Sequence, residues 1–117
     1  MLVFDATALA AMFNSYPPLW ALLQRADLGM VRLGFPALAI VEAGSMIGAS
    51  ASAWHPFLFV SSISVLPLGQ APAIEIGSWS GTLGARHALW EARYINCPLI
   101  TRRPELYASD EAHIQAI

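Results

Sequence analysis

Two carboxylates stand out in this sequence because of where they sit. Asp5 follows Leu2, Val3 and Phe4, a continuous apolar run of the kind that forms a strand buried on both faces of a parallel sheet. Open α/β sheets receive ligands outside the carboxyl ends of such strands, so Asp5 stands where a ligand would arrive. Glu42 shares a helical stripe with Ala39, Ala43 and Met46, at i, i+3, i+4 and i+7. Burying a carboxylate without partners is costly, so Glu42 needs a cation, a metal or hydrogen-bond donors beside it. Each residue also has an ordinary structural role open to it. Asp5 can cap the helix that follows, and Glu42 can pair with an arginine at a helix edge.

The cations are all arginines, whose planar guanidinium suits bidentate contact with carboxylate or phosphate. Arg86, Arg93, Arg102 and Arg103 together could form a phosphate-binding rim. Trp90, on the Arg86 and Arg93 side of a helix, could stack a base. The alternative is a solvated helix face with one aromatic at a protein interface. His87 and Glu91 lie one helical turn apart and can pair; a structural hydrogen bond is favoured there over acid–base chemistry. No Gly-rich phosphate loop, zinc-ligand spacing or Ser-His-Asp order is visible. Cys97 is the single cysteine, which excludes an intrachain disulfide and a cysteine-based zinc site; its place before Pro98 and an apolar run predicts a packed, inert thiol.

The elements that must position these residues follow from apolar periodicity and breakers. After the strand at Leu2–Phe4, Thr7 opens a helical stretch through Ala8–Phe13. Pro17 or Pro18 starts a helix running to about Ala26. Met30–Gly34 reads as a brief strand, and Pro36 opens a strong helix through Ile47, ended by Gly48. Ala51–Val60 reads as a short helix weakened by Pro56, Ile63–Leu66 as a strand and Pro72–Trp79 as a helix. Leu83–Asn96 is the clearest helix, with Ala85, Ala88, Leu89, Ala92 and Ile95 as its apolar stripe. Leu99–Thr101 reads as a second buried strand and His113–Ile117 as a terminal one. Strands alternating with helices predict parallel crossover units in a three-layer α/β sandwich.

The length of 117 residues fits one domain, 1–117, with one core. Hydrophobic residues make up 56% and charged residues 12%, so apolar burial can outweigh chain entropy and disorder is excluded. A net charge of −2 argues against a generic polyanion binder and leaves nucleic-acid contact to clustered charge. The stretch from Ala43 to Ile74 carries no Asp, Glu, Lys or Arg, and the mean hydropathy is +0.54. Serines, His55, Pro56 and Pro67 interrupt every window of the roughly 20 apolar residues a membrane span needs, so an apolar partner surface accounts better for the excess hydrophobicity. Trp20, Trp54, Trp79 and Trp90 suit such surfaces. Asp5 breaks the first apolar run with no basic segment before it, which predicts no export signal and a cytoplasmic location.

Three segments resemble one family. "LVFDATAL" resembles the opening of PIN domains, in which a strand ends in Asp followed two residues later by Ser or Thr; here these are Asp5 and Thr7. "FPALAIVEAGSM" is similar to the family's second motif, a helix bearing an acidic residue, which falls on Glu42. "ARHALWEARYINCPLITRRPELYA" resembles the late helix–strand–loop segment of VapC-type toxins, with His87, Glu91, Ala92 and Thr101 in matching places. The resemblance implies a PIN-like three-layer sandwich with a short parallel sheet. It also implies a ribonuclease site in which four acidic side chains hold Mg²⁺ or Mn²⁺ to activate water and stabilise phosphodiester cleavage.

This chain departs from that pattern twice. The third acidic position falls on Thr82 and the fourth on Arg103; the nearest substitute acids are Glu105 and Asp110. With Asp5 and Glu42 as the remaining catalytic and metal-binding candidates, the expectation is that Arg103, with Arg102 or Arg86, neutralises them in the metal's place. Opposite charges ~4 Å apart attract by about 4 kcal/mol at an effective dielectric of 20. The resemblance then implies weak or lost nuclease activity and a role in binding RNA or a protein partner, as a homodimer or with an antitoxin-like protein. The alternatives are an active Mg²⁺-dependent ribonuclease with a reduced site, and a small membrane-associated protein.

Overall fold

The structure, a computed structural model, describes residues 1–108, 111 and 113–117. Five strands, β1 (Leu2–Phe4), β2 (Leu33–Pro36), β3 (Ile63–Leu66), β4 (Leu99–Thr101) and β5 (Ile114–Ala116), form one sheet in the order β3-β2-β1-β4-β5. Every pairing is parallel; Val3 aligns with Gly34 on one side and Leu99 on the other. Among the described residues six α-helices flank it: α1 (Ala6–Phe13), α2 (Pro17–Asp27), α3 (Ala37–Ile47), α4 (Ala51–Leu58), α5 (Gln70–Glu75) and α6 (Leu83–Ile95). This is the α/β architecture expected from the alternation of elements, and it is compatible with a PIN-like three-layer sandwich.

Each face of the sheet carries its own core, because side chains alternate along a strand. Phe4, Leu33, Phe35 and Ile100 pack against α1, α2 and α4 on one face, with the Phe4 and Phe35 rings stacked 5.5 Å apart. Val3 and Leu99 face Ala85, Ala88 and Ala92 of α6 on the other. Helix α3 packs against both α1 and α6. Cys97 lies buried in the second core, and burial pushes its thiol pKa up, in line with an inert thiol.

Several boundaries differ from the sequence reading. The second strand is Leu33–Pro36 rather than Met30–Gly34. Met30 is exposed, whereas all four residues of β2 are buried between β1 and β3, so tertiary pairing overrides the apolar look of Met30 and Val31. Helix α1 starts at Ala6 because Asp5 caps it. The helix drawn at Pro72–Trp79 begins at Gln70 and tightens into a 3₁₀ turn at Ile76–Ser78. Pro56 stays inside α4 and removes one backbone donor; the helix holds because Trp54 is buried edge-on against Phe13, with Phe57 against the same ring. Trp54 is therefore a core residue and not a partner surface. In α3 only Ala39 and Ala43 of the expected stripe are buried; Met46 faces solvent and Glu42 sits at the boundary. Likewise Ile95 of the α6 stripe is exposed. Among the described residues, no helix is long and apolar enough to cross a membrane.

Strand order places the site. Going outward from β1, the chain runs to β2 and β3 on one side and to β4 and β5 on the other. The sense of winding reverses between β1 and β4, and the crevice beyond their carboxyl ends is where such sheets receive ligands. Asp5 leaves β1 there, and Arg102 and Arg103 leave β4 there.

Candidate functional site

Asp5 is buried, and hydrogen bonds reach its carboxylate from three directions. Oδ1 accepts from the Ala8 amide at 2.9 Å, the helix cap, and from the Thr7 hydroxyl at 2.7 Å; Oδ2 accepts from the Tyr107 hydroxyl at 2.7 Å. An ionised carboxylate only accepts, so Thr7 spends its proton on Asp5. Thr101, 3.1 Å from Thr7, must then donate to it, while the Arg102 amide donates to Thr7 and the Arg103 amide to Thr101. The two threonines that the resemblance singled out thus tie the ends of β1 and β4 together. Burial, then the neighbouring Asp5 charge, pushes the Tyr107 phenol far above its ordinary pKa, so it remains a donor.

Glu42 approaches from α3. The Thr82 hydroxyl donates to its Oε2 at 3.1 Å and accepts the Ala85 amide at 3.2 Å, so one side chain caps α6 and holds Glu42. Thr82 stands where the resemblance placed a missing acid, and here it is a hydrogen-bond donor. The two helices meet closely because residue 84 is glycine. A Cβ there would overlap Glu42 Oε2 and lie 3.1 Å from its Cδ and 3.2 Å from Ala39 Cα. Asp5, Glu42, Thr7, Thr82 and Arg103, with apolar Met46 and Leu106, line one cavity of about 120 Å³. A water occupies about 30 Å³ of liquid, so the space suits a few waters or a small ion rather than a nucleotide.

The arginines do not behave as expected. Arg103 borders the cavity, but its Nε donates to Glu105 Oε1 at 2.9 Å, and that bond draws the exposed Glu105 carboxyl below its ordinary pKa. Arg102 lies over the Tyr16 ring, 3.8 Å from its centroid, and donates to the Ile117 carbonyl oxygen at 2.7 Å. Arg86 donates to the Gly81 carbonyl at 2.8 Å. None reaches Asp5 or Glu42, so no guanidinium takes the metal's place; hydroxyl and amide donors satisfy these carboxylates instead. The four-arginine rim is also divided. Arg103 is at the Asp5 cavity, Arg102 is held at Tyr16, and Arg86 and Arg93 line a separate cavity with Trp79. Trp90 stacks on Tyr94 and donates to Glu75 at 2.8 Å instead of standing free for a base.

No protein-family model matches the chain, and no curated protein matches it in sequence.

The donor set decides what this cavity can hold. Mg²⁺ and Mn²⁺ take hard oxygen ligands, and the centre that the resemblance implies supplies them from four carboxylates. Among the described residues Asp5 and Glu42 are the only carboxylates lining the cavity, and Asp5 already accepts three hydrogen bonds. Among the described residues no group of three His, Cys, Asp or Glu side chains converges on a metal position. Glu105 turns to Arg103, and Asp110 lies outside the described residues. The residues present do not fit the four-carboxylate centre.

His87 lies apart from the cavity and is fully buried. Its Nδ1 accepts from the Leu38 amide at 3.3 Å, serving the uncapped start of α3, where Pro36 offers no side-chain acceptor. The proton therefore sits on Nε2. That atom is 3.3 Å from Glu91 Oε2 but is not aligned with it for a good hydrogen bond. Burial lowers the His87 pKa and raises that of Glu91. The two contributions to stability have opposite signs. His87, depressed in the fold, stabilises above its unfolded pKa of about 6.5, and that stability is lost as pH falls through the folded value. Glu91, raised in the fold, costs stability as pH rises above its unfolded value. Glu91→Gln should therefore raise the midpoint of thermal unfolding at pH 7, with the gain vanishing near pH 4; an equal gain at both pH values would show that the carboxylate's charge is not the cause.

Sequence reasoning missed Tyr107 and Gly84. Nothing in spacing links Tyr107 to Asp5 across the whole chain. Gly84 did leave a signal, since glycine inside a strong helical pattern usually marks a close packing contact.

Proposed function

We propose that this chain is a PIN-like protein of the VapC type in which the nuclease chemistry is weak or lost, and that it acts by binding a protein partner. The observation that carries this reading is the Asp5 carboxylate, whose oxygens are committed to Thr7, Ala8 and Tyr107 while Thr82 holds Glu42. Those contacts give both acids structural work, and two of the four acidic positions of the resemblance are Thr82 and Arg103. An apolar groove of about 490 Å³ between α1, α2 and α4 supports the partner-binding part. Phe13, Trp20, Leu23, Pro56, Phe57 and Val60 line it, and Trp20 is 39% exposed. Protein interfaces are enriched in such aromatic residues, which suits a protein partner: a second copy, giving a homodimer, or an antitoxin-like protein in the cytoplasm.

Calorimetric titration of the purified protein with MgCl₂ and MnCl₂ tests the lost-nuclease part. The expected result is no saturable binding at millimolar ion concentration, and no metal-dependent RNA cleavage. Saturable binding and cleavage that both disappear in Glu42→Gln would overturn it and establish the reduced-site ribonuclease.

A further inference from the structure

A second cavity, of about 300 Å³, lies along α6 beyond the Asp5 crevice and shares Ala85 and Leu106 as a common wall with it. Its lining includes Trp79, Ser80, Arg86, Leu89, Arg93 and Leu106. The two guanidiniums in it are in different electrostatic states. Arg93 forms a two-pronged ion pair with Glu111 and lies over the Trp79 ring, 5.2 Å from its centroid. That stack of carboxylate, guanidinium and indole is a flat wall with its charge largely matched.

Arg86 is different. It is half-buried, and its partners are two carbonyl oxygens, Gly81 at 2.8 Å and Ile76 at 3.5 Å. Among the described residues no carboxylate comes within ion-pair distance of it. The carbonyls fix the orientation of the guanidinium without neutralising it, and leave N–H donors for a further acceptor. A half-buried, oriented guanidinium that no carboxylate among the described residues compensates is a site for an anion, and its fork matches phosphate best.

The cavity is much larger than an inorganic anion needs and lies at the small end of the range of about 300–1,000 Å³ for small-molecule sites. Leu89 and Leu106 supply apolar surface, and the Trp79–Arg93 pair supplies a flat one. We propose that this cavity binds a small aromatic phosphomonoester of the nucleoside monophosphate class. Arg86 holds the phosphate, and the ring lies in the Trp79, Leu89 and Leu106 part of the cavity. This site is separate from the Asp5 and Glu42 carboxylates and does not depend on whether they support catalysis.

The test is calorimetry on the full chain with three probes: adenosine monophosphate, adenosine and inorganic phosphate. Adenosine monophosphate should bind with a dissociation constant on the order of 1 mM or tighter, and each fragment should bind about tenfold more weakly or not detectably. Arg86→Met should lower affinity for the monophosphate by about tenfold or more. Because Arg86 also anchors Gly81 and Ile76, Ser80→Trp serves as a second variant; it crowds the cavity from an exposed position and leaves Arg86 in place. Loss of binding in Ser80→Trp, with an unchanged unfolding midpoint, supports the site. No binding of the monophosphate, equal binding of phosphate alone, or full affinity in both variants overturns it.

Discussion

Asp5→Ala should destabilise the domain by about 3 kcal/mol, read as a shift of the urea midpoint with unchanged slope. The substitution removes the acceptor for three donors at once. The Ala8 amide loses its helix cap, worth about 0.5–2 kcal/mol. The buried Tyr107 hydroxyl loses its acceptor, and Thr7 loses the group that orders its link to Thr101; a buried polar group left unsatisfied costs about 1–3 kcal/mol. Asp5→Asn separates structure from chemistry. Its amide oxygen can keep Thr7 and Ala8, while its NH₂ meets a Tyr107 hydroxyl that must turn round to accept. The expected loss is about 1 kcal/mol, since one hydrogen bond is remade in poorer form. An acid retained for catalysis at the expense of stability would behave in the opposite way. If Asp5→Asn raised the urea midpoint, the reading of Asp5 as a structural anchor would fail and the ribonuclease reading would regain ground.

Gly84→Ala should destabilise by about 2 kcal/mol, against the direction that helix propensity alone gives. In an open helix this exchange stabilises by about 1 kcal/mol. Here the added methyl would overlap the Glu42 carboxylate and press on the Ala39 backbone. The carboxylate can move, but moving breaks its bond from Thr82; the backbone of α3 yields only if the helices separate. Glu42→Ala in the same chain should therefore recover part of the loss and leave the part due to Ala39. A double-mutant cycle by chemical denaturation measures that coupling. Additive effects, or a stabilising single Gly84→Ala, would mean that α3 and α6 are not held as closely as Gly84 allows, and that Glu42 is not positioned by this contact.

The contrast between Thr82 and Arg103 shows how far linear reasoning reached. The resemblance placed both at the site, and both line the Asp5 cavity. Their roles could not be read in the same way. Thr82 is a capping residue whose hydroxyl has one spare donor, and the acceptor it finds lies on another helix. Arg103 was expected to answer the two acids by charge alone. Glu105, two residues on and equally exposed, is the nearer and less costly partner, because neither group has to be desolvated. Charge arithmetic summed over a sequence cannot choose between partners, since the choice depends on distance and burial.

The sequence by itself determined the local structure of this protein. Apolar runs marked Leu2–Phe4, Ile63–Leu66 and Leu99–Thr101 as strands, helical periodicity marked a helix at Leu83–Asn96, which ends at Ile95 with Asn96 as its cap, and Gly48 marked the end of α3. The alternation of these elements fixed an α/β sandwich with a parallel sheet, and the end of the first strand fixed Asp5 as a residue at the crevice. These signals are local, carried by residues a few positions apart whose side-chain directions follow from backbone geometry. Only the tertiary structure decided the partners. It brought Tyr107 to Asp5, Thr82 to Glu42, His87 to the amide of Leu38 and Arg93 to Trp79, each across a long stretch of chain or between separate elements. It also shifted β2 to Leu33–Pro36, since a strand buried between two neighbours is placed by its pairing. Hydrogen bonds and burial act through space, and the distances on which they depend exist only once the helices are packed on the sheet.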